Sequence, residues 1–306
     1  MRILVASHIS PRALEELSCR HELVDGVGRS EEELRRLVAG CEAIVFRSGV
    51  QITASVMEGS PQLRLVVRAG SGIDNIDLAY VEERGLELAR VPGPGAQAVA
   101  EMTFALILGL ARQVLSADKA LREGRWIKHQ VRGRLLHGKT LGVYGAGNIG
   151  YRVARMGVAW GMRVLACVDR PSRERKDRFE EDGVALETPE VLLSEADYVS
   201  IHVPLGDATR RMIGRSELAT MKPTAFLVTL ARGGVVDEDA LFEALEAGRL
   251  AGAGLDVHER EGDGHVSRLA SLPNVILTPH IGATTIDTQD VIGGKIVEIM
   301  DTFAAG

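Results

Sequence analysis

The sequence predicts an α/β protein built from two doubly wound parallel-sheet domains. Three observations carry that expectation. The chain has 306 residues, about twice the ~150 of a typical domain. Short apolar runs alternate with helix-length amphipathic stretches, the order that βαβ units require. A segment with two prolines and two glycines, residues 91–95, interrupts that order once. Neither a continuing helix nor a central strand tolerates it.

Taken in order, strands are expected at residues 3–6, 43–47, 65–69 and 87–89, before the interruption. A long helix follows at 96–123, ending at Gly124. Its apolar residues cover more than one face, too broad for a single buried stripe, which suggests burial within the chain or a subunit contact. Further strands are expected at 140–144, 163–168, 198–202, 225–229, 251–256 and 275–277. A last helix, 284–303, leaves the second sheet and is expected to return to the first. That makes residues 1–92 and 283–306 one domain, with 93–282 inserted as the other. Right-handed crossovers follow from the parallel order.

Composition limits the function classes. Hydrophobic residues are 45% and charged residues 25%, ordinary for a globular chain and unlike a disordered or collagen-like one. A net charge of −6 gives no electrostatic footprint for nucleic acid or an anionic membrane. Cys19, Cys41 and Cys167 are far apart, so neither a disulfide framework nor a zinc site is expected, and no metal-ligand spacing appears elsewhere. The apolar stretch 102–111 stops at Arg112, short of the ~20 residues a bilayer needs. The first residues lack the form of a signal peptide. A cytoplasmic protein is expected.

Thirty-four glycines exceed the usual ~7%, and three of them carry chemistry. Gly145, Gly147 and Gly150 form GxGxxG between an apolar strand and a helical pattern at 149–160. This is the Rossmann dinucleotide fingerprint. Gly145 permits the tight turn, Gly147 lets backbone approach a pyrophosphate, and Gly150 allows close helix–strand packing. The helix N-terminus offers free N–H groups to phosphate. The next strand ends at Asp169, 22 residues after Gly147. A carboxylate there accepts from ribose hydroxyls and repels a 2′-phosphate, which favours NAD over NADP. Arg170, Arg173 and Arg175 lie nearby, in a run of mixed charge that most simply forms a solvated face.

Three later segments hold polar residues just past buried strands: Arg232 in LARGGVVD, Asp256 and Glu261 in LDVHERE, and His280 in TPHIGA. In open α/β sheets, ligands bind at the carboxyl ends of strands, so all three point to the edge that carries the glycine turn.

With these segments in place, the chain resembles the D-isomer-specific 2-hydroxyacid dehydrogenases, within their phosphoglycerate dehydrogenase branch. GAGNIG, HVPL, LARGGVVDE, AGLDV and TPHIGA occur in the family's order over nearly the whole chain. FRSGVQIT and VVRAGSGIDNID resemble the family's substrate-domain loops. The resemblance implies a Rossmann NAD-binding domain inserted into a flavodoxin-like substrate domain, in a short form without a regulatory C-terminal domain. It assigns Arg232, Glu261 and His280 as the catalytic trio. Asn148 and Ile149 are placed at the pyrophosphate turn, and His202, Val203 and Pro204 beside the adenosine. Leu230, Ala231, Asp256 and Gly282 fall on the nicotinamide side. Arg47, Ser71 and Gly72, with Arg232, become substrate contacts. Arg68, Arg132 and Arg134 are further candidates for a substrate phosphate, the last two from a neighbouring subunit of a homodimer.

Two positions depart from the family pattern. His258 stands where Phe is usual, and Gly262 where Pro is usual. The five-residue step from Asp256 selects Glu261 over the neighbouring Glu259. The implied partner is a small 2-hydroxy or 2-oxo acid, with D-3-phosphoglycerate the first choice and glyoxylate or hydroxypyruvate reduction the alternative. A different class, the NAD-sensing corepressor-like binding proteins, shares the fold.

Overall fold

A computed structural model describes residues 1–305. Its contacts divide the chain into two units, residues 1–95 with 284–306, and residues 96–283.

The first unit runs β1 (Arg2–Val5), α1 (Pro11–Ser18), β2 (Glu22–Asp25), α2 (Glu31–Leu37), β3 (Ala43–Phe46), α3 (Ala54–Glu58), β4 (Leu65–Arg68), α4 (Leu78–Glu83) and β5 (Glu87–Arg90). The strands form one parallel sheet in the order β2-β1-β3-β4-β5, the flavodoxin-like order. β3 and β4 are buried along their length. That is why each reads as a continuous apolar run rather than an alternation.

The second unit continues with α5 (Gly95–Arg112), α6 (Val114–Arg122), β6 (Thr140–Tyr144), α7 (Asn148–Ala159), β7 (Arg163–Cys167), α8 (Arg173–Glu181), β8 (Val184–Leu186), α9 (Pro189–Glu195) and β9 (Tyr198–Ile201). It ends with α10 (Arg215–Thr220), β10 (Phe226–Thr229), α11 (Glu238–Glu246), β11 (Gly252–Leu255), a 3-10 turn at Arg268–Ser271 and β12 (Val275–Leu277). Its seven parallel strands lie in the order β12-β11-β10-β9-β6-β7-β8. The order reverses between β6 and β9, and ligands of such sheets bind at that switch point. Register then does the positioning. Tyr144 lies opposite Ile201, Ile201 opposite Thr229, Thr229 opposite Leu255, and Leu255 opposite Leu277. Gly145, His202, Leu230, Asp256 and Thr278 therefore leave the sheet side by side on one edge.

α12 (Ile286–Ala305) belongs to the first unit. It packs on α1 so closely that a Cβ on Gly293 would lie 2.3 Å from the Ser10 hydroxyl.

The structure corrects three expectations. β2 and β8 were not anticipated; both are sheet edges with half-exposed residues, so neither carries a buried apolar run. The expected helix at 96–123 is two helices, bent by 64° at Gln113, whose φ is +53°. Its expected burial holds only for α5, where 11 of 18 residues are buried, whereas α6 buries Ala120 alone. No single helix among the described residues is long and apolar enough to cross a membrane.

Candidate active site

The glycine turn is built as its spacing requires. Gly145 has φ +88°, and a Cβ there would lie 2.6 Å from a Val203 methyl and 2.9 Å from the His202 carbonyl. At Gly150 a Cβ would lie 2.5 Å from the Gly145 oxygen, so glycine lets α7 close on β6. Gly147 differs: a Cβ there would meet nothing within 4 Å. Packing does not demand glycine at that point, and the open space lies at the N-terminus of α7. Ser10, Thr53, Asp77, Ser172, Thr188 and Asp237 cap their helices with a side-chain oxygen. Gly147 caps α7 with none. The first N–H groups of α7, from Asn148 and Ile149, are left for a ligand.

A cavity of about 620 Å³ adjoins this turn, lined by Gly147, Asn148, Ser172, Arg175 and Arg178 among others. Of the three arginines near Asp169, Arg175 leaves the solvated face expected of it and donates to the Ala146 carbonyl at 2.6 Å. Asp169 is exposed, with Arg170 3.7 Å away.

The three catalytic candidates lie in the second unit, past β10, β11 and β12. His280 Nδ1 lies 2.8 Å from Glu261 Oε2 and 3.1 Å from Oε1. A carboxylate only accepts, so Nδ1 carries the hydrogen and, in the neutral ring, Nε2 is left as an acceptor. Burial works against the Glu261 charge, but the His280 hydrogen bond and charge, with the His258 N–H, hold its carboxyl below the usual range. Glu259 turns away, to Arg211 at 3.3 Å. The turn bearing His280 is strained: its φ is +54°, a region that costs a non-glycine residue about 1–3 kcal/mol. Asp256, 1% exposed, holds it there. Its carboxylate accepts from the Thr278 hydroxyl at 2.5 Å, the Ile281 N–H at 2.9 Å and the Gly282 N–H at 2.8 Å. Its backbone carbonyl accepts from His280 N–H at 2.8 Å. The expected nicotinamide contact of Asp256 is thus joined by a structural duty that the sequence did not show. Arg232 is half-buried, and its Nη1 donates to the Ala231 carbonyl at 2.7 Å.

The remaining candidates fall as follows. Leu230 and Ala231 are buried and pack in the core of the second unit. His202 Nε2 lies 2.6 Å from the Ser200 hydroxyl; Nδ1 is sealed from solvent without a hydrogen-bond partner among the described residues, and burial pushes the ring down to about 3. Val203 and Pro204 follow it on the same edge. In the first unit, Ser71 and Gly72 lie on the loop after β4. Arg47 follows β3 and is half-buried; burial lowers its guanidinium from its usual value. Arg68 is buried, its guanidinium 5.9 Å from the Phe46 ring centre. Arg134 works within its own chain, with its N–H on Ala111 O, its side chain on Thr224 O and its guanidinium 5.3 Å from the Phe226 ring centre. Arg132 lines a separate cavity of about 370 Å³ beside the end of α5.

Residues 104–282 match the NAD-binding domain of the D-isomer-specific 2-hydroxyacid dehydrogenases. The chain belongs to that family. It is an NAD-dependent D-2-hydroxyacid dehydrogenase. It is 38% identical over 300 residues to a hydroxypyruvate reductase of Thermotoga maritima, covering 97% of this chain and 96% of that protein. It is 39% identical to a D-3-phosphoglycerate dehydrogenase of Archaeoglobus fulgidus, covering all of this chain but only 58% of that longer protein. The crystal structure of an Aquifex aeolicus D-lactate dehydrogenase with NAD and lactic acid superposes with a TM-score of 0.87 at 30% identity, covering 100% of this chain and 96% of that one.

The chain fits the cofactor of a D-2-hydroxyacid dehydrogenase on its own geometry. The open space at Gly147, the uncapped N-terminus of α7 and the adjoining cavity are what a pyrophosphate needs. Two residues of this dehydrogenase were missed as parts of the site. Thr278 joins Asp256 to the His280 turn. Gly233 has no room for a side chain: a Cβ would lie 1.8 Å from the His258 carbonyl oxygen. The doubled glycine after Arg232 was the only sequence signal of that approach.

Proposed function

We propose that this dehydrogenase acts on D-3-phosphoglycerate, interconverting it with the corresponding 2-oxo acid, as a homodimer. Arg232 binds the substrate carboxylate and polarises the C2 oxygen by charge-assisted hydrogen bonds. His280 Nε2 takes the hydroxyl proton in oxidation and returns it in reduction. Glu261 fixes the ring and stabilises imidazolium. Ser71 and Gly72 offer backbone N–H groups to the substrate. NAD, when bound, takes the hydride in oxidation and gives it in reduction.

Arg47 carries the choice of a phosphorylated substrate. It is half-buried just past β3, and burial lowers its guanidinium from its usual value. A substrate phosphate offsets that cost. The test compares kcat/KM for 3-phosphohydroxypyruvate, hydroxypyruvate and glyoxylate with NADH, in the wild type and Arg47→Ala. The phosphorylated acid is expected to lead, and Arg47→Ala to lose roughly tenfold or more of that lead. Wild-type preference for an unphosphorylated acid would transfer the assignment to a reductase, which the full-length similarity to the Thermotoga maritima protein favours.

Two further outcomes are expected. Asp169 sets the cofactor preference, so Asp169→Ala weakens NAD use and narrows the gap to NADP; a wild type more efficient with NADP would show that Arg175 and its neighbours dominate. The homodimer is supported by Val114, Leu115, Leu121, Trp126 and Leu135, large apolar side chains exposed on α6 and the stretch after it. Large apolar side chains exposed along one segment are what a subunit contact would cover. Sedimentation at micromolar concentration is expected to give twice the chain's mass, and a monomer alone would reject the dimer.

A further inference from the structure

His258 lies at a point where three loops of the site converge. Its ring Nε2 lies 3.0 Å from the Thr278 carbonyl oxygen. A carbonyl only accepts, so Nε2 carries the hydrogen and the ring is a donor to the His280 turn. Its backbone N–H donates to Glu261 Oε1 at 3.3 Å, the oxygen that also accepts from His280 Nδ1 at 3.1 Å. Its own carbonyl abuts Gly233, next to Arg232. Nδ1 is sealed from solvent and has no hydrogen-bond partner among the described residues.

We propose that His258 is a positioning residue, holding the strained His280 turn and the Glu261 carboxylate in register through the Thr278 carbonyl and its own N–H. The proposal rests on His280 and Glu261 being the acid–base pair. Phenylalanine at 258 would keep the ring volume and the backbone N–H but leave the Thr278 carbonyl without its side-chain donor. That carbonyl is two residues from His280, which sits at φ +54°. Such a conformation persists only where its surroundings fix it. Releasing the clamp lets imidazole and carboxylate drift apart, and imidazolium then loses part of its counter-charge. The titratable groups around the pair are Glu261 itself, His258, whose N–H and ring charge both act on Glu261, Asp256 with its carboxylate on the turn, and Glu259, which pairs with Arg211.

The distinguishing substitution is His258→Gln, whose side-chain N–H extends to about the place of Nε2. Wild type, His258→Phe and His258→Gln are compared in 2-oxo acid reduction across pH, with His280→Ala as a control. His258→Phe is expected to lower kcat roughly tenfold, within the up-to-10²-fold cost of a misplacement near 1 Å. It is expected to move the alkaline fall of the reduction profile to lower pH and to leave KM for NADH unchanged. His258→Gln is expected to restore both rate and profile. Equal behaviour of the two variants, or a rate loss with no movement of the profile, overturns the proposal. Wild-type activity in His280→Ala would instead remove the acid–base pair itself. A ¹H–¹⁵N spectrum of the wild-type protein gives a second test that needs no variant to fold: the proposal requires the His258 hydrogen on Nε2, and a hydrogen on Nδ1 alone overturns it.

Discussion

His280→Ala is expected to cost roughly 10²–10⁴-fold in kcat, the usual contribution of a positioned general acid–base group. Among the described residues the ring is anchored at Nδ1, 2.8 Å from Glu261, and in the proposed mechanism Nε2 moves the proton. Removing the ring takes away proton transfer without touching the glycine turn, so NADH binding is expected to stay within a few-fold of wild type. Steady-state kinetics together with NADH fluorescence titration separate the two. Loss of NADH affinity in parallel with kcat would show that the substitution had disturbed the fold around the Asp256 staple rather than the chemistry.

The second large effect belongs to Glu261→Gln. An amide oxygen can still accept from Nδ1–H, so orientation survives, but the counter-charge to imidazolium is gone. Reduction starts from imidazolium, so its activity is expected to fall at a lower pH than in the wild type. Oxidation starts from neutral imidazole and is expected to gain on the acid side of its profile. Stability changes too. A carboxyl held below its usual range favours the folded state above that range and loses this contribution as pH falls through the lowered value. The variant, having no carboxyl, lacks that dependence. Glu259→Gln is the matched control, because Glu259 pairs with Arg211; it is expected to leave both profiles in place. If Glu259→Gln moves the profiles and Glu261→Gln does not, the register of this loop is wrong.

Much of this site was legible because strand ends are legible. The buried strands before Gly145, Leu230, Asp256 and Thr278 are apolar, and parallel pairing brings whatever follows them to one edge. Spacing within LDVHERE singled out Glu261, and the contact with His280 agrees in geometry. Features set by distant backbone were not legible. The helix expected at 96–123 breaks at Gln113 without glycine or proline. There the Ala111 carbonyl accepts from the Arg134 N–H at 2.7 Å, a partner 23 residues on that takes the place of the next turn's donor. The half-exposed edge strands β2 and β8 carry no apolar run. Asp256 read as a ligand contact, yet both of its carboxylate oxygens also serve the turn. His258 read only as a departure from a pattern, because the carbonyl it holds lies 20 residues further along.

The central claim, hydride transfer to C2 of a 2-oxo acid with His280 delivering the proton, is tested most directly by isotope. The protein is incubated with NADH carrying deuterium at the transferable C4 position and with hydroxypyruvate or its 3-phosphate, beside a His280→Ala sample. Deuterium is expected at C2 of the D-glycerate or D-3-phosphoglycerate formed, with little product from His280→Ala. Binding of NADH with no labelled product from either acid, or label in the L enantiomer, would contradict it.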